Sequence, residues 1–161
     1  MHAFTEKDIL SSFINVSLRE RKAIVPPPGL ADIDWDRLDY LGWRDPKLPL
    51  VAYLVADVDG RAVGIQLRQT EARGRTRPQC SWCEDVTLPN DVVMFSARRA
   101  GQAGRDGSTV GTLVCENFEC SANVRKLPPL AYTGYDREAA RQRRIDTLRE
   151  RVTSFARDLA A

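Results

Sequence analysis

Four cysteines are the residues of this chain whose type and spacing could do chemistry. They stand as Cys80-Ser81-Trp82-Cys83 and as Cys115-Glu116-Asn117-Phe118-Glu119-Cys120, and there are no others. A CxxC loop points two thiolates at one tetrahedral ion while its backbone amides fold over the sulfurs. A second close pair completes a shell of four cysteines. The spacing therefore predicts one structural zinc ion held by Cys80, Cys83, Cys115 and Cys120. A catalytic zinc keeps an open position, and four cysteine ligands leave none.

Two other cysteine chemistries fit the sequence poorly. A secreted disulfide framework needs a signal peptide, and the first residues, Met1 to Asp8, contain no apolar stretch. A redox CxxC should open a helix after a strand and sit in an electropositive setting. Here Pro78 precedes the motif, and Glu84, Asp85 and Pro89 follow it. Neighbouring carboxylates raise a thiol pKa, which is wrong for a reactive thiolate.

The remaining composition narrows the function classes. The chain has 161 residues, 43% hydrophobic content and a formal net charge of +2. That suits one domain or slightly more, and no apolar run approaches a membrane span. The sole histidine is His2, so no histidine-based catalytic dyad or triad is expected within a core. No Gly-rich phosphate loop, metal-hydrolase motif or paired catalytic carboxylate is evident either, and the expectation is a protein that is not an enzyme. Charge is uneven: residues 1–60 hold seven basic and ten acidic groups, residues 61–126 ten basic and seven acidic. Arginines in the second half, among them Arg73, Arg75, Arg77, Arg98, Arg99 and Arg105, could meet phosphates or carboxylates.

The elements that must position the cysteines follow from periodicity. Thr5 with Asp8 resembles a capping box, and Ile9, Leu10, Phe13, Ile14 and Leu18 recur at helical spacing, which predicts one amphipathic helix over residues 6–22. Pro26-Pro27-Pro28-Gly29 ends it as a stiff linker. Trp35, Leu38, Tyr40, Leu41 and Trp43 read as an aromatic plug against a sheet. Residues 50–58 and 61–70 read as a hairpin around Asp59-Gly60, with one face apolar and one polar, hence a half-solvated antiparallel sheet. Residues 92–99 and 109–115 read as a second hairpin, joined by a flexible, glycine-rich turn. Cys120 can start a short helix that Pro128-Pro129 stops. The last segment begins near Thr133, and Ile145, Leu148, Val152, Phe155 and Leu159 trace a buried helical stripe between arginine-rich faces.

Knuckle, β-hairpin, then a helix starting at the second ligand pair is the order of a treble clef. A zinc ribbon would instead place the second pair in another knuckle. The expected fold is thus α+β: an antiparallel sheet carrying a treble-clef zinc finger with four cysteine ligands, flanked by N-terminal and C-terminal helices.

With these features the chain resembles the C-terminal treble-clef zinc-finger domain of the FusB-type elongation-factor-G-binding proteins. The resemblance rests on Trp35 to Trp43 (WDRLDYLGW), the Asp59-Gly60 hairpin, the Cys80/Cys83 knuckle, the Cys115/Cys120 pair and the terminal helix. It covers roughly residues 30–160. It implies the same four cysteine ligands, a division into an N-terminal helix and linker (1–29) and a zinc-finger domain (30–161), a cytoplasmic setting, and binding to elongation factor G. Family members that confer resistance help release that factor from ribosomes stalled by fusidic acid. Longer members carry a helical bundle before the zinc domain; here a single helix is expected before Pro26.

Candidate partner-binding residues come from chemistry. Trp82 lies between two ligands on a tight loop, where a large ring is hard to bury; it is expected either as an exposed anchor or packed on the terminal helix near Phe155. Arg98, Arg99 and Arg105 supply charge on and beside the second hairpin. The alternative is a zinc-stabilised module that binds ribosomal or other RNA, with those arginines on phosphates.

Overall fold

The computed structural model describes residues 1–71, 76–87 and 89–161. The chain opens with two short helices, α1 (Glu6–Ser11) and α2 (Leu18–Ala23). Strands β1 (Tyr40–Arg44), β2 (Val51–Val58) and β3 (Arg61–Gln69) follow, then β4 (Val92–Arg98), helix α3 (Gly101–Arg105), β5 (Thr109–Cys115), α4 (Cys120–Arg125) and α5 (Arg137–Ala160). The five strands form one antiparallel meander in chain order.

The β2–β3 turn forms as its residues demand. Asp59 and Gly60 sit at φ 53° and 78°, the two positive values of a type I′ turn, and Val58 pairs with Arg61. The polar-out expectation for this sheet fails, because both faces are covered. Along β2, Ala52, Leu54 and Ala56 face a core shared with β4, β5, α4 and α5. Alternate residues Tyr53 and Val55 face a second core built with Ile9, Phe13, Leu41 and Trp43. A strand buried on both faces reads as a continuous apolar run.

The single helix expected over 6–22 is two helices with a strand-like break. Ser17 and Glu20 form a second capping box, which starts α2 and excludes a continuous helix through residue 17. In the break, Phe13 bridges to Gly64 in β3, with Ile14 N–H donating to Gly64 O at 2.9 Å and Gly64 N–H donating to Ser12 O at 3.0 Å. A Cβ on Gly64 would sit 2.6 Å from Ser12 Oγ and 2.9 Å from the Phe13 ring, so the approach needs glycine. Phe13 then makes edge-to-face contacts with Trp43 and Tyr53, at centroid distances of 6.3 and 5.7 Å. The chain just before the prolines also packs down: Trp43 Nε1 donates to Val25 O at 2.9 Å.

Part of the expected aromatic plug is strand β1, whose alternation sends Tyr40 to one core and Leu41 to the other. The glycine-rich turn after β4 contains helix α3. Helix α5 starts at N-cap Asp136, which accepts from Ala139 N–H, three residues beyond Thr133. Its buried stripe is Ala140, Ile145, Leu148, Val152, Ala156 and Leu159, with Phe155 half-buried beside it.

Candidate metal centre

The first ligand pair is made by a tight turn. Glu84 N–H donates to Cys80 O at 3.0 Å, and Glu84 takes a positive φ of 55° to close the loop. Ser81 N–H donates to Leu113 O at 2.8 Å, which ties the knuckle to β5. The second pair spans a strand end and a helix start: Cys115 is the last residue of β5 and Cys120 the first of α4. Between them Phe118 turns the chain at φ 62°, and its ring fills the space over Gly42 of β1.

The four Sγ atoms all lie within 4.8 Å of one another, with Cys80–Cys120 and Cys83–Cys115 each at 3.6 Å. Sulfurs at tetrahedral corners, with zinc–sulfur bonds of about 2.3 Å, stand about 3.8 Å apart. A disulfide needs about 2.0 Å. The donor set therefore fits a tetrahedral zinc ion, and soft thiolates are its preferred ligands. Exposure of the ligands runs from 0 to 5%. So buried a cluster cannot ionise as a whole without a cation. Hydrogen bonds from Cys115 and then Cys120 hold the Cys80 thiol well below its usual range, whereas those same crowded sulfurs, Cys115 first, push Cys120 well up. A divalent ion removes that conflict by charge.

Sequence reasoning missed Asn123. It is 3% exposed on α4, and its side-chain amide lies 3.5 Å from Cys115 Sγ and 3.8 Å from Cys83 Sγ. Its position i+3 from a ligand on a helix was the available signal. Also missed was Asp39, whose fully buried carboxylate accepts from Arg125 of α4 and from Arg149 of α5. Its backbone N–H donates to Ser121 Oγ at 3.0 Å. The arginines of α5 act mainly within the fold. Arg151 donates to Ser81 O at 3.0 Å and to Glu84 at 2.7 Å, and Arg144 to Asp85 at 3.1 Å. The acidic pair after the knuckle is thus what α5 docks on.

The expected partner-binding residues do not form one surface. Trp82 is not exposed: it is 3% accessible, packed at 5.2 Å from the Tyr40 ring and 5.5 Å from the Phe155 ring. The reading that packs Trp82 near Phe155 holds, and Tyr40 forms the other wall of its slot. Arg98 and Arg99 lie at the far end of the β4–β5 hairpin. Val92 pairs with Cys115 and Arg98 with Thr109, so six strand steps separate the zinc end from the tip, about 20 Å. There Arg98 pairs with Glu20 at 2.7 Å, Arg99 with Asp158 at 3.0 Å, and Arg105 bonds Gln102 at 3.0 Å. Arg77 is structural, donating to Asn90 O at 2.6 Å and Asp85 O at 3.1 Å. Arg73 and Arg75 lie outside the described residues. Among the described residues, no helix is long and apolar enough to cross a membrane.

A solved structure of the fusidic acid resistance protein FusC is similar to this chain, with a TM-score of 0.56 and 20% identity. The similarity covers 76% of this chain and 53% of that one, so the chain accounts for about half of that structure's length. At this identity the likeness concerns the fold. No curated protein matches. Residues 8–159 match the family described as FBP C-terminal treble-clef zinc-finger, a span that takes in all four ligands, both hairpins and the N-terminal break at Phe13. The chain belongs to the FBP C-terminal treble-clef zinc-finger family.

Proposed function

We propose that this chain is a zinc-stabilised, non-catalytic binding module that engages a translation elongation factor of the G type and alters its release from the ribosome in the cytoplasm. The observation that carries the reading is family membership across residues 8–159 around a closed, buried centre of four cysteines. The fold likeness to a fusidic acid resistance protein is in keeping with it, since the resemblance implies that resistance-conferring members release elongation factor G from stalled ribosomes. A shell of four thiolates has no coordination position for substrate, so zinc here holds a surface in shape.

Binding to RNA is the competing reading. Of the arginines considered for phosphate contact, Arg77, Arg98 and Arg99 already hold carboxylates or backbone carbonyls of the same chain, which favours a protein partner. The test is a calorimetric titration of the zinc-loaded chain with purified elongation factor G, and separately with ribosomal RNA, at low and at physiological salt. A saturable one-to-one complex with the factor that persists at physiological salt is expected. Binding confined to RNA, falling steeply with salt, would replace this reading with the nucleic-acid one.

A further inference from the structure

Four thiolates around a divalent ion carry a net charge of minus two, and here they are all but inaccessible to water. A buried anion of this kind needs hydrogen-bond donors, because a thiolate without one keeps its full desolvation cost. Three of the four sulfurs have a nitrogen donor. Cys83 N–H lies 3.5 Å from Cys80 Sγ, and the Asn123 amide reaches Cys115 and Cys83 at 3.5 and 3.8 Å. Cys120 Sγ contacts Cys80 Sγ at 3.6 Å, and among the described residues no N–H reaches it.

Tyr40 is the buried donor placed beside this cluster. Its ring is held between the two ligand-bearing loops, by Trp82 of the knuckle at 5.2 Å and Phe118 of the second pair at 6.3 Å. The residue is 1% exposed. Its hydroxyl is buried and closes no hydrogen bond among the described residues. An unmade hydrogen bond is costly for a buried hydroxyl, and such groups call for a partner. Asp39, the residue before Tyr40, donates its N–H to Ser121 Oγ at 3.0 Å, which sets the start of β1 against the start of α4, where Cys120 stands. A phenol carries one O–H able to donate. Alternation along β1 fixes this direction, since Leu41 next to it faces the opposite core.

We propose that Tyr40 is a positioning residue of the zinc centre, its hydroxyl donating to the Cys120 thiolate and completing a shell in which every ligand sulfur has a donor. This rests on the zinc site alone and is independent of which partner the chain binds.

The test compares Tyr40→Phe with Tyr53→Phe, which loses a buried bond to Asp45 at 2.6 Å on the opposite face of the sheet. Zinc affinity is read by chelator competition, and the sulfur environment by the thiolate-to-metal charge-transfer band of the cobalt(II)-substituted protein. Tyr40→Phe is expected to keep its fold and one metal per chain. It should bind zinc about tenfold more weakly and move the band to lower energy, because a thiolate without a donor is the better electron donor. Tyr53→Phe should leave both readings unchanged. Unaltered affinity and band in Tyr40→Phe, or equal changes in both variants, would overturn the proposal. A third reading needs no substitution. In the cadmium-loaded wild-type protein, the Tyr40 hydroxyl proton should couple to the metal through Cys120, and absence of that coupling would also overturn it.

Discussion

The two faces of the central sheet solve the same problem by different means. One face packs Tyr40, Leu54, Ile65 and Phe95 against α4 and α5, and four cysteines of that core converge on one point. The other packs Leu41, Trp43, Tyr53 and Val55 against Ile9 and Phe13, with aromatic edge-to-face contacts among them. A metal can hold elements as short as the six-residue α4, which could not stand as a helix in water. Apolar burial needs area, and the N-terminal face obtains it from a long, irregular segment wrapped over the strands. The two faces should therefore fail under different insults.

The largest effect is expected from the metal. Cys120→Ser should abolish stoichiometric zinc, and structural zinc in small fingers contributes on the order of 10 kcal/mol to folding. Hydrogen exchange should show α4 and the knuckle unprotected, while the β1–β2 amides beneath Phe13 keep some protection. Equal loss on both faces would mean that the two cores unfold as one unit, and retained zinc would sink the ligand assignment.

Phe13→Ala attacks the other face. Removing a fully buried ring should cost about 3–5 kcal/mol in a denaturant titration. Zinc content of the folded fraction should remain one per chain. Zinc loss in step with this substitution would show that the N-terminal face supports the metal centre.

Asp39 joins the two regions, since it lies just before β1 and holds Arg125 and Arg149 of the helices on the zinc face. Asp39→Asn should destabilise by about 2 kcal/mol, below the value for a fully buried pair because Arg149 is half exposed. Zinc affinity should fall with it, because α4 carries Cys120. Stability loss with unchanged affinity would restrict Asp39 to docking α5.

The smallest effect is at the rim of the N-terminal face. Burial disfavours the Asp45 carboxylate, but hydrogen bonds from Tyr53 and from the Lys47 and Leu48 amides outweigh it and hold its pKa below the usual value. A folded pKa below the unfolded one contributes stability that is present above the unfolded value, about 4, and is lost as pH falls through the folded one. Asp45→Asn should cost about 1 kcal/mol at pH 7 and nothing once Asp45 is protonated in both states. A difference that does not shrink as pH falls toward about 4, with zinc still bound, would assign the effect to shape.

The same contrast explains what could be read early. The zinc face announces itself through ligand spacing and through the helix-compatible run after Cys120. Both are local. The N-terminal face depends on Phe13 meeting Gly64 from far along the chain, and helical spacing of Ile9, Phe13 and Leu18 concealed the break. The Ser17/Glu20 capping box was the local sign that a second helix starts there. Trp82 stayed open between an exposed anchor and packing near Phe155 for a related reason: a tight loop does not say whether Tyr40 and Phe155 arrive from β1 and α5 to cover its ring.

By itself the sequence determined the ligand set, the hairpin turn at Asp59-Gly60, the treble-clef order and the buried stripe of α5. Each is a matter of spacing within a few residues, where backbone geometry leaves few choices. Only the tertiary structure decided that both faces of the sheet are covered and that Arg144, Arg149 and Arg151 of α5 answer the acidic groups beside the knuckle and β1. It also decided that the arginine tip stands about 20 Å from the metal. These are relations between side chains brought together by the antiparallel meander, and no periodicity along the chain encodes them.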